Sequence, residues 1–118
     1  MQMGKTTVLV ASRDRNLAEQ RRNILELSGY KVISVFHAEE VDAACNENHI
    51  EAVVIGYSVE PSEKRRIWSR VKEGCGDSRP PILELSAGGP PILIDSHLHQ
   101  FANATDFVSA LEKILHPH

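Results

Sequence analysis

The sequence predicts an α/β fold in which helices cover both faces of a doubly wound parallel sheet. Runs of β-branched apolar residues alternate with helical patterns from one end of the chain to the other, which is typical of βαβ units. Several of these runs are almost continuously apolar, as expected for strands that are covered on both faces. The 118 residues suffice for one core and not for two, so we expect one domain over residues 1–118.

The strands follow directly from the apolar runs. They are predicted at residues 7–11, 31–35, 52–55 and 82–85, with a weaker fifth strand at residues 96–100. Right-handed crossovers then bring the carboxyl ends of all strands to one edge of the sheet, where functional groups are expected.

Helices are predicted between the strands and after the last one. The first has a stripe at Leu17, Gln20, Ile24 and Leu27 and stops at Gly29, because glycine commonly ends a helix. Shorter apolar patterns predict a second helix around residues 41–45 and a third that begins near Pro61. The last helix shows the clearest stripe, formed by Phe107, Val108, Leu111, Ile114 and Leu115.

Composition narrows the class of protein. The chain is 42% hydrophobic and 25% charged, with a net charge of −3, so disorder is not expected and nucleic-acid binding is not favoured. No apolar run reaches the ~20 residues of a membrane span, and the N-terminus does not resemble a secretory signal. We therefore expect a cytoplasmic protein, in which the distant Cys45 and Cys75 are separate, reduced thiols.

Four stretches resemble successive parts of one protein family. Residues 8–11 resemble its first strand, residues 17–32 its first helix and the start of its second strand, residues 51–55 its third strand, and residues 80–87 its fourth strand. The family is that of response-regulator receiver domains, the phospho-accepting modules of bacterial two-component signalling. The resemblance implies a flavodoxin-like sheet of five parallel strands in the order 2-1-3-4-5.

Receiver chemistry depends on groups at the carboxyl ends of the strands. An acidic pair after strand one holds Mg²⁺, an aspartate after strand three is the nucleophile, and a hydroxyl and a lysine after strands four and five contact the phosphoryl group. On this chain Ser12 and Arg13 take the place of the acidic pair, with only Asp14 left as a carboxylate. Gly56 occupies the acceptor position, so no phosphorylation is expected there.

The other site positions are partly retained. The resemblance places Ser86 at the switch hydroxyl, His97 at the switch aromatic residue and Gln100 at the lysine. Ser86 and Gln100 are only 14 positions apart, and residues 88–91 read Gly-Gly-Pro-Pro, which discourages a helix. We expect a shortened or missing fourth helix, with a loop or a single turn over residues 88–95.

Together these substitutions predict a degenerate pseudo-receiver, a phosphorylation-independent protein-interaction module in signal transduction. No catalytic residue, metal or cofactor is expected. The implied partners are proteins of a signalling pathway, for instance a sensor kinase or a regulator, and a homodimer is left open. Neither a membrane nor a nucleic acid is an expected partner.

Other interpretations remain open. His97 and His99 lie two apart on one strand and, with Asp14, could form a metal-dependent or ligand-binding site, or a small enzyme, on the same fold, although zinc needs three or four ligands. A small ligand could bind in the vacated pocket, where Arg13 could act as an internal cation. An unperturbed imidazole titrates near neutral pH, so His97 could still change charge and switch together with Ser86.

Two further groups of charged residues suggest a possible docking surface on the third helix and a buried charge in the fourth strand. The helix contains a run of cations that could dock an acidic partner, although such runs are most often solvated: Lys64, Arg65, Arg66, Arg70 and Lys72. Glu84 interrupts a strand that should be buried, where an unpaired carboxylate is costly. We expect Glu84 either to face an opening or to pair with an arginine.

Overall fold

Strands and helices alternate as the sequence predicts. The computed structural model of the chain describes residues 6–56, 58–75, 80–86, 93, 97–100 and 104–116. In these ranges the elements are β1 (Thr7–Ala11), α1 (Arg15–Leu27), β2 (Lys31–Val35), α2 (Glu39–Glu47), β3 (Ala52–Ile55), α3 (Pro61–Gly74), β4 (Ile82–Ser86), β5 (His97–Gln100) and α4 (Ala104–Leu115). No helix within them is long and apolar enough to cross a membrane.

The strands form one sheet in the order β2-β1-β3-β4-β5, with every neighbouring pair parallel. The predicted fold class and strand order are therefore confirmed. Ala11 is in register with Ile55, and Ser86 with Gln100, so the carboxyl ends of these strands meet at one edge. Because β1 and β3 are adjacent in the centre, this edge is the crevice in which doubly wound folds usually bind ligands.

Two layers of helices cover the sheet. On one face α1 and α4 pack against alternate strand residues, and the fully buried side chains there include Val8, Leu25 and Phe107. On the other face α2 and α3 pack through Val41, Ile67 and neighbouring residues against a second cluster. Successive strand residues point to opposite faces, so the nearly continuous apolar runs of the central strands supply both clusters.

Helix α1 uses a different stripe from the predicted one. Its buried residues are Ala18, Arg21 and Leu25, whereas Leu27 is 90% exposed. The predicted stripe was wrong by about one position, because Leu27 is the last helical residue and the chain then turns away through Gly29. Gly29 has φ +97, the left-handed conformation that favours glycine at a helix end.

The expectation of separate thiols was also wrong. Cys45 in α2 and Cys75, which caps α3, are joined by a disulfide with their Cα atoms 4.9 Å apart. The helices lie side by side on the same face of the sheet, and this brings residues 30 positions apart into contact. The spacing alone gave no sign of this, because helix packing and not sequence distance determines the pairing.

Between β4 and β5 only Leu93 is described. Apart from this residue, the predicted loop or single turn at 88–95 lies outside the described residues. Leu93 itself is 5% exposed and belongs to the core cluster on the α2–α3 face. One point of the short β4–β5 connection is therefore anchored in the core.

Candidate functional site

The structure brings four of the predicted site positions to the carboxyl edge of the sheet. Ser12 and Gly56 directly follow β1 and β3, and the Gly56 N–H donates to the carbonyl of Ala11 over 2.9 Å. Ser86 is the last residue of β4, in register with Gln100 at the end of β5. Ser12 and Ser86 are both buried.

Asp14, the one carboxylate left near the acidic-pair position, caps helix α1. Its Oδ1 accepts hydrogen bonds from the N–H groups of Asn16 and Leu17, over 2.8 and 3.2 Å. The Ser12 hydroxyl donates to the Asp14 carbonyl and accepts from the Asp14 N–H. This turn thus satisfies the first amides of a helix, which is the ordinary role of an N-cap aspartate.

The buried cation at this edge is Arg21 and not Arg13. Arg13 is exposed, whereas Arg21 is only 3% exposed and reaches from α1 to the end of β3. A Cβ atom added to Gly56 would lie 2.5 Å from Nη1 and 3.4 Å from Cζ of Arg21. The guanidinium group therefore occupies the space in which a side chain at position 56 would begin.

Arg21 does not stand out in the sequence, because the predicted apolar stripe of α1 has the wrong phase. Arg21 follows Ala18 by three residues and precedes Leu25 by four, so the three share one helical face. With Ala18 and Leu25 recognised as the buried positions, the arginine between them would have stood out as a charge on the inner side. A long polar side chain at such a position can reach the end of a neighbouring strand.

A second buried charge lies behind β4. Glu84 is 1% exposed and its Oε2 lies 3.1 Å from the Nζ of Lys64, whose side chain is 7% exposed. Lys64 also donates to the Leu85 carbonyl, and Glu84 Oε1 accepts from the Leu93 N–H over 3.1 Å. The partner is a lysine and not the expected arginine, and Lys64 points inward and does not belong to an exposed basic face.

The other cations of α3 are largely matched by acidic residues. Arg66 bonds Glu39 and Glu63, and Arg70 lies 2.7 Å from Asp42. The hydrogen bond from Arg66 to Glu39 raises the pKa of that arginine, and the backbone N–H of Ala38 lowers the pKa of Glu63.

The basic face predicted on α3 therefore offers a partner less exposed positive charge than the sequence suggests. Arg65 is exposed, and Lys72 lies over the Trp68 ring at 5.6 Å from its centroid. A shallow groove runs between α2 and α3 and mixes both signs of charge: Asp42, Arg65, Arg66, Ser69, Arg70 and Glu73.

The histidines of the alternative site are placed by their backbone. In β5 His97 is in register with Leu83 and His99 with Leu85, and their side chains lie outside the described residues. Across the described ranges, no group of three or more His, Cys, Asp or Glu side chains is arranged to hold a metal ion. Asp14, the carboxylate proposed for that site, already caps α1.

No protein-family model and no curated protein matches the sequence, whereas many solved structures match the fold. A response regulator receiver protein from Sinorhizobium medicae WSM419 is 18% identical, with a TM-score of 0.73 over 96% of each chain. A CheY-like receiver domain from Methylobacillus flagellatus is 14% identical, with a TM-score of 0.76 over 94% of this chain and 99% of that one. The pseudo-receiver domain of the CikA protein is 15% identical, with a TM-score of 0.68 over 98% and 100%. The strand order and these likenesses agree, and the chain has the fold of the response-regulator receiver domains.

Proposed function

We propose that this chain works in signal transduction as a pseudo-receiver, a domain that is not phosphorylated and acts by presenting a fixed surface to a protein partner. The observation behind the proposal is the pairing of Gly56 with Arg21 at the carboxyl end of β3. The acceptor position has no nucleophile, and a buried guanidinium fills the space beside it.

The chemistry of phosphoryl transfer supports this proposal. Transfer to a carboxylate needs a nucleophile and a divalent cation that neutralises the phosphoryl oxygens. Ser12 and Arg13 provide no carboxylate for Mg²⁺, which prefers oxygen ligands of this kind, and Asp14 is engaged as the cap of α1. The positive charge of Arg21 would also repel a metal ion in this pocket.

A fixed surface is consistent with the same contacts. In receivers the switch depends on charge arriving at the acceptor, whereas here Arg21 holds a permanent charge inside the edge. The proposed partner is a protein that binds without regard to phosphorylation, with Arg65, Arg66, Arg70 and Lys72 as the candidate contact residues. We propose a cytoplasmic protein without catalytic activity of its own, and self-association is included as one form of partner.

Incubation with acetyl phosphate and Mg²⁺, followed by intact mass measurement, tests the proposal. We expect no phosphoryl adduct on the natural chain, while an active receiver domain treated in parallel gains one. Gly56→Asp alone should also remain unmodified, because Arg21 would pair with the new carboxylate. A hydroxylamine-sensitive phosphoryl group on any carboxylate of the natural chain would overturn the proposal.

A pair of double variants separates the contribution of Arg21 from that of the missing metal ligands. Gly56→Asp with Arg21→Gln frees the new aspartate from its cation, and Gly56→Asp with Arg22→Gln changes the adjacent arginine, which pairs with Glu26 on the surface. We expect Mg²⁺ to bind neither, because the acidic pair is still absent. Mg²⁺ binding by the Arg21→Gln double variant alone would assign the exclusion of metal to Arg21.

A further inference from the structure

The disulfide lies at the end of the molecule where α2 and α3 finish. Cys45 is in the last turn of α2 and Cys75 is the residue that caps α3. Both are half-buried and pack against the edge of the core cluster on this face. The bond closes a covalent loop that contains the end of α2, β3 with Gly56, and all of α3.

Two features bring the helices together at this point. Asp42, one turn before Cys45, bonds Arg70 over 2.7 Å. A Cβ atom on Gly74 would lie 3.2 Å from the Asp42 Oδ1, which is tighter than most real contacts. The absence of a side chain at Gly74 therefore allows α2 to approach α3, and the next residue, Cys75, then lies within bonding reach of Cys45.

We propose that Cys45 and Cys75 form a reversible dithiol–disulfide site, which reacts with a low-molecular-weight disulfide of the glutathione type and sets how firmly α2 is held against α3. This goes beyond the proposed interaction function and does not depend on it. In a reducing compartment the bond would be open at rest, and it would close under oxidative conditions.

The chemistry balances with the disulfide as oxidant. The thiolate of one cysteine attacks a sulfur of the small disulfide, forms a mixed disulfide and releases one thiolate, which takes up the first proton. The second cysteine then attacks the protein sulfur of that mixed disulfide, forms the Cys45–Cys75 bond and expels the second small thiol with the other proton. Two protein thiols are oxidised and one small disulfide is reduced to two thiols.

The position of the disulfide favours thiol–disulfide exchange, and a nearby tryptophan can report it. Neither cysteine is among the fully buried residues, and the proposal requires a small thiol or disulfide to reach the sulfur atoms without unfolding of the chain. Trp68, the one tryptophan of the chain, lies two turns before Cys75 in α3 and packs against the same cluster. Its fluorescence should therefore follow changes in the packing of α3.

The test uses the full chain under native conditions in buffers of graded ratios of reduced to oxidised glutathione. Intact mass and alkylation count the free thiols, and hydrogen exchange measures the protection of α2 and α3. We expect two free thiols at high reduced glutathione, their loss at high oxidised glutathione, and full reversal. Reduction should speed amide exchange in the last turns of α2 and α3 on the order of tenfold or more.

Two variants control for indirect effects. Cys45→Ser cannot form the bond, so its amide-exchange rates should match those of the reduced chain in every buffer. Ser69→Ala, on the exposed side of α3, should behave as the natural chain. A bond that survives excess reduced glutathione and opens only in denaturant would make it a permanent staple and overturn the proposal. Thiols that stay free in oxidised glutathione, or exchange rates that ignore the redox state, would overturn it as well.

Discussion

The two faces of the sheet are held by different chemistry. On the α1–α4 face the contacts between the helices and the sheet are mainly apolar, with Leu25, Phe107 and Leu111 fully buried. The α2–α3 face has an apolar cluster too, but adds the buried Lys64–Glu84 pair, the ion pairs between the helices and the Cys45–Cys75 bond. Apart from Arg21 near the carboxyl edge, the α1–α4 face depends on how well apolar side chains fill its volume, whereas the α2–α3 face also depends on specific polar and covalent partners.

This difference determines how each face responds to change. Apolar contacts are non-directional, and they tolerate substitutions that conserve volume. A buried ion pair is different, because removing either partner leaves the other charge without compensation. The α2–α3 face should therefore be the more sensitive one to conservative loss of a single polar group, and the following variants test that contrast.

The largest effect is expected at Lys64. Lys64→Met keeps most of the side-chain volume but leaves the Glu84 carboxylate buried without its cation, and we expect a loss of about 3–5 kcal/mol in the free energy of unfolding. Urea unfolding monitored by Trp68 fluorescence measures it. Lys64→Met with Glu84→Gln removes both charges, retains an acceptor for the Leu93 N–H, and should recover most of the loss. A single variant as stable as the natural chain would contradict a role for this pair.

A matched pair of leucines tests the α1–α4 face. Leu25 is fully buried and Leu27, two residues later in the same helix, is 90% exposed. We expect Leu25→Ala to cost about 2–5 kcal/mol because it leaves a cavity, and Leu27→Ala to change stability by no more than about 0.5 kcal/mol. Urea midpoints for the two variants measure the difference. Equal costs would restore the stripe expected from the sequence.

The leucine pair also shows how far the sequence could go. The strands were predictable from their apolar runs, and α3 and α4 from buried positions at helical spacing, because each pattern has one dominant period. In α1 two stripes compete, Leu17 with Ile24 and Ala18 with Leu25, and only the path of the chain into β2 decides between them. The element was predictable and its rotation was not.

The comparison with receivers predicts which groups the candidate site lacks, but it does not predict which side chains occupy the space. Gly56 and the missing acidic pair follow from a position-by-position comparison with receivers. Arg21, Lys64 and the disulfide depend on which side chains meet across elements distant in sequence, and no local pattern encodes this. Lys64 in particular belongs to a run of cations that suggests a solvated face, and only the proximity of Glu84 places it inside.

A smaller loss of stability is expected at the N-terminal cap of α1, on the α1–α4 face. Asp14→Ala removes the acceptor for the Asn16 and Leu17 N–H groups, and should cost about 1 kcal/mol. Asp14→Asn retains a side-chain oxygen and should cost less. Thermal unfolding of the three chains measures the series. If the alanine variant were neutral, the carboxylate would be free for another role, such as the alternative site with the β5 histidines.

The smallest effect is expected at Glu63, where the α2–α3 face meets solvent. The Ala38 N–H, with a further contribution from Arg66, lowers the pKa of Glu63 in the folded chain, so the folded state favours the carboxylate more than the unfolded state does. The resulting stabilisation is present in full above the ordinary glutamate pKa of 4.5 and is lost as the pH falls through the lower folded value. Glu63→Gln should therefore be less stable than the natural chain at neutral pH, and the stabilities of the two chains should converge as the pH falls below 4.5.

The difference in stability should be small, because Arg66 is half-exposed and solvent screens its charge. Urea midpoints across this pH range measure it, with Glu26→Gln in the exposed Arg22 pair as the control. A gap that widens toward acid would reverse the assigned direction of the shift, and would show that the Ala38 hydrogen bond does not favour the charged form.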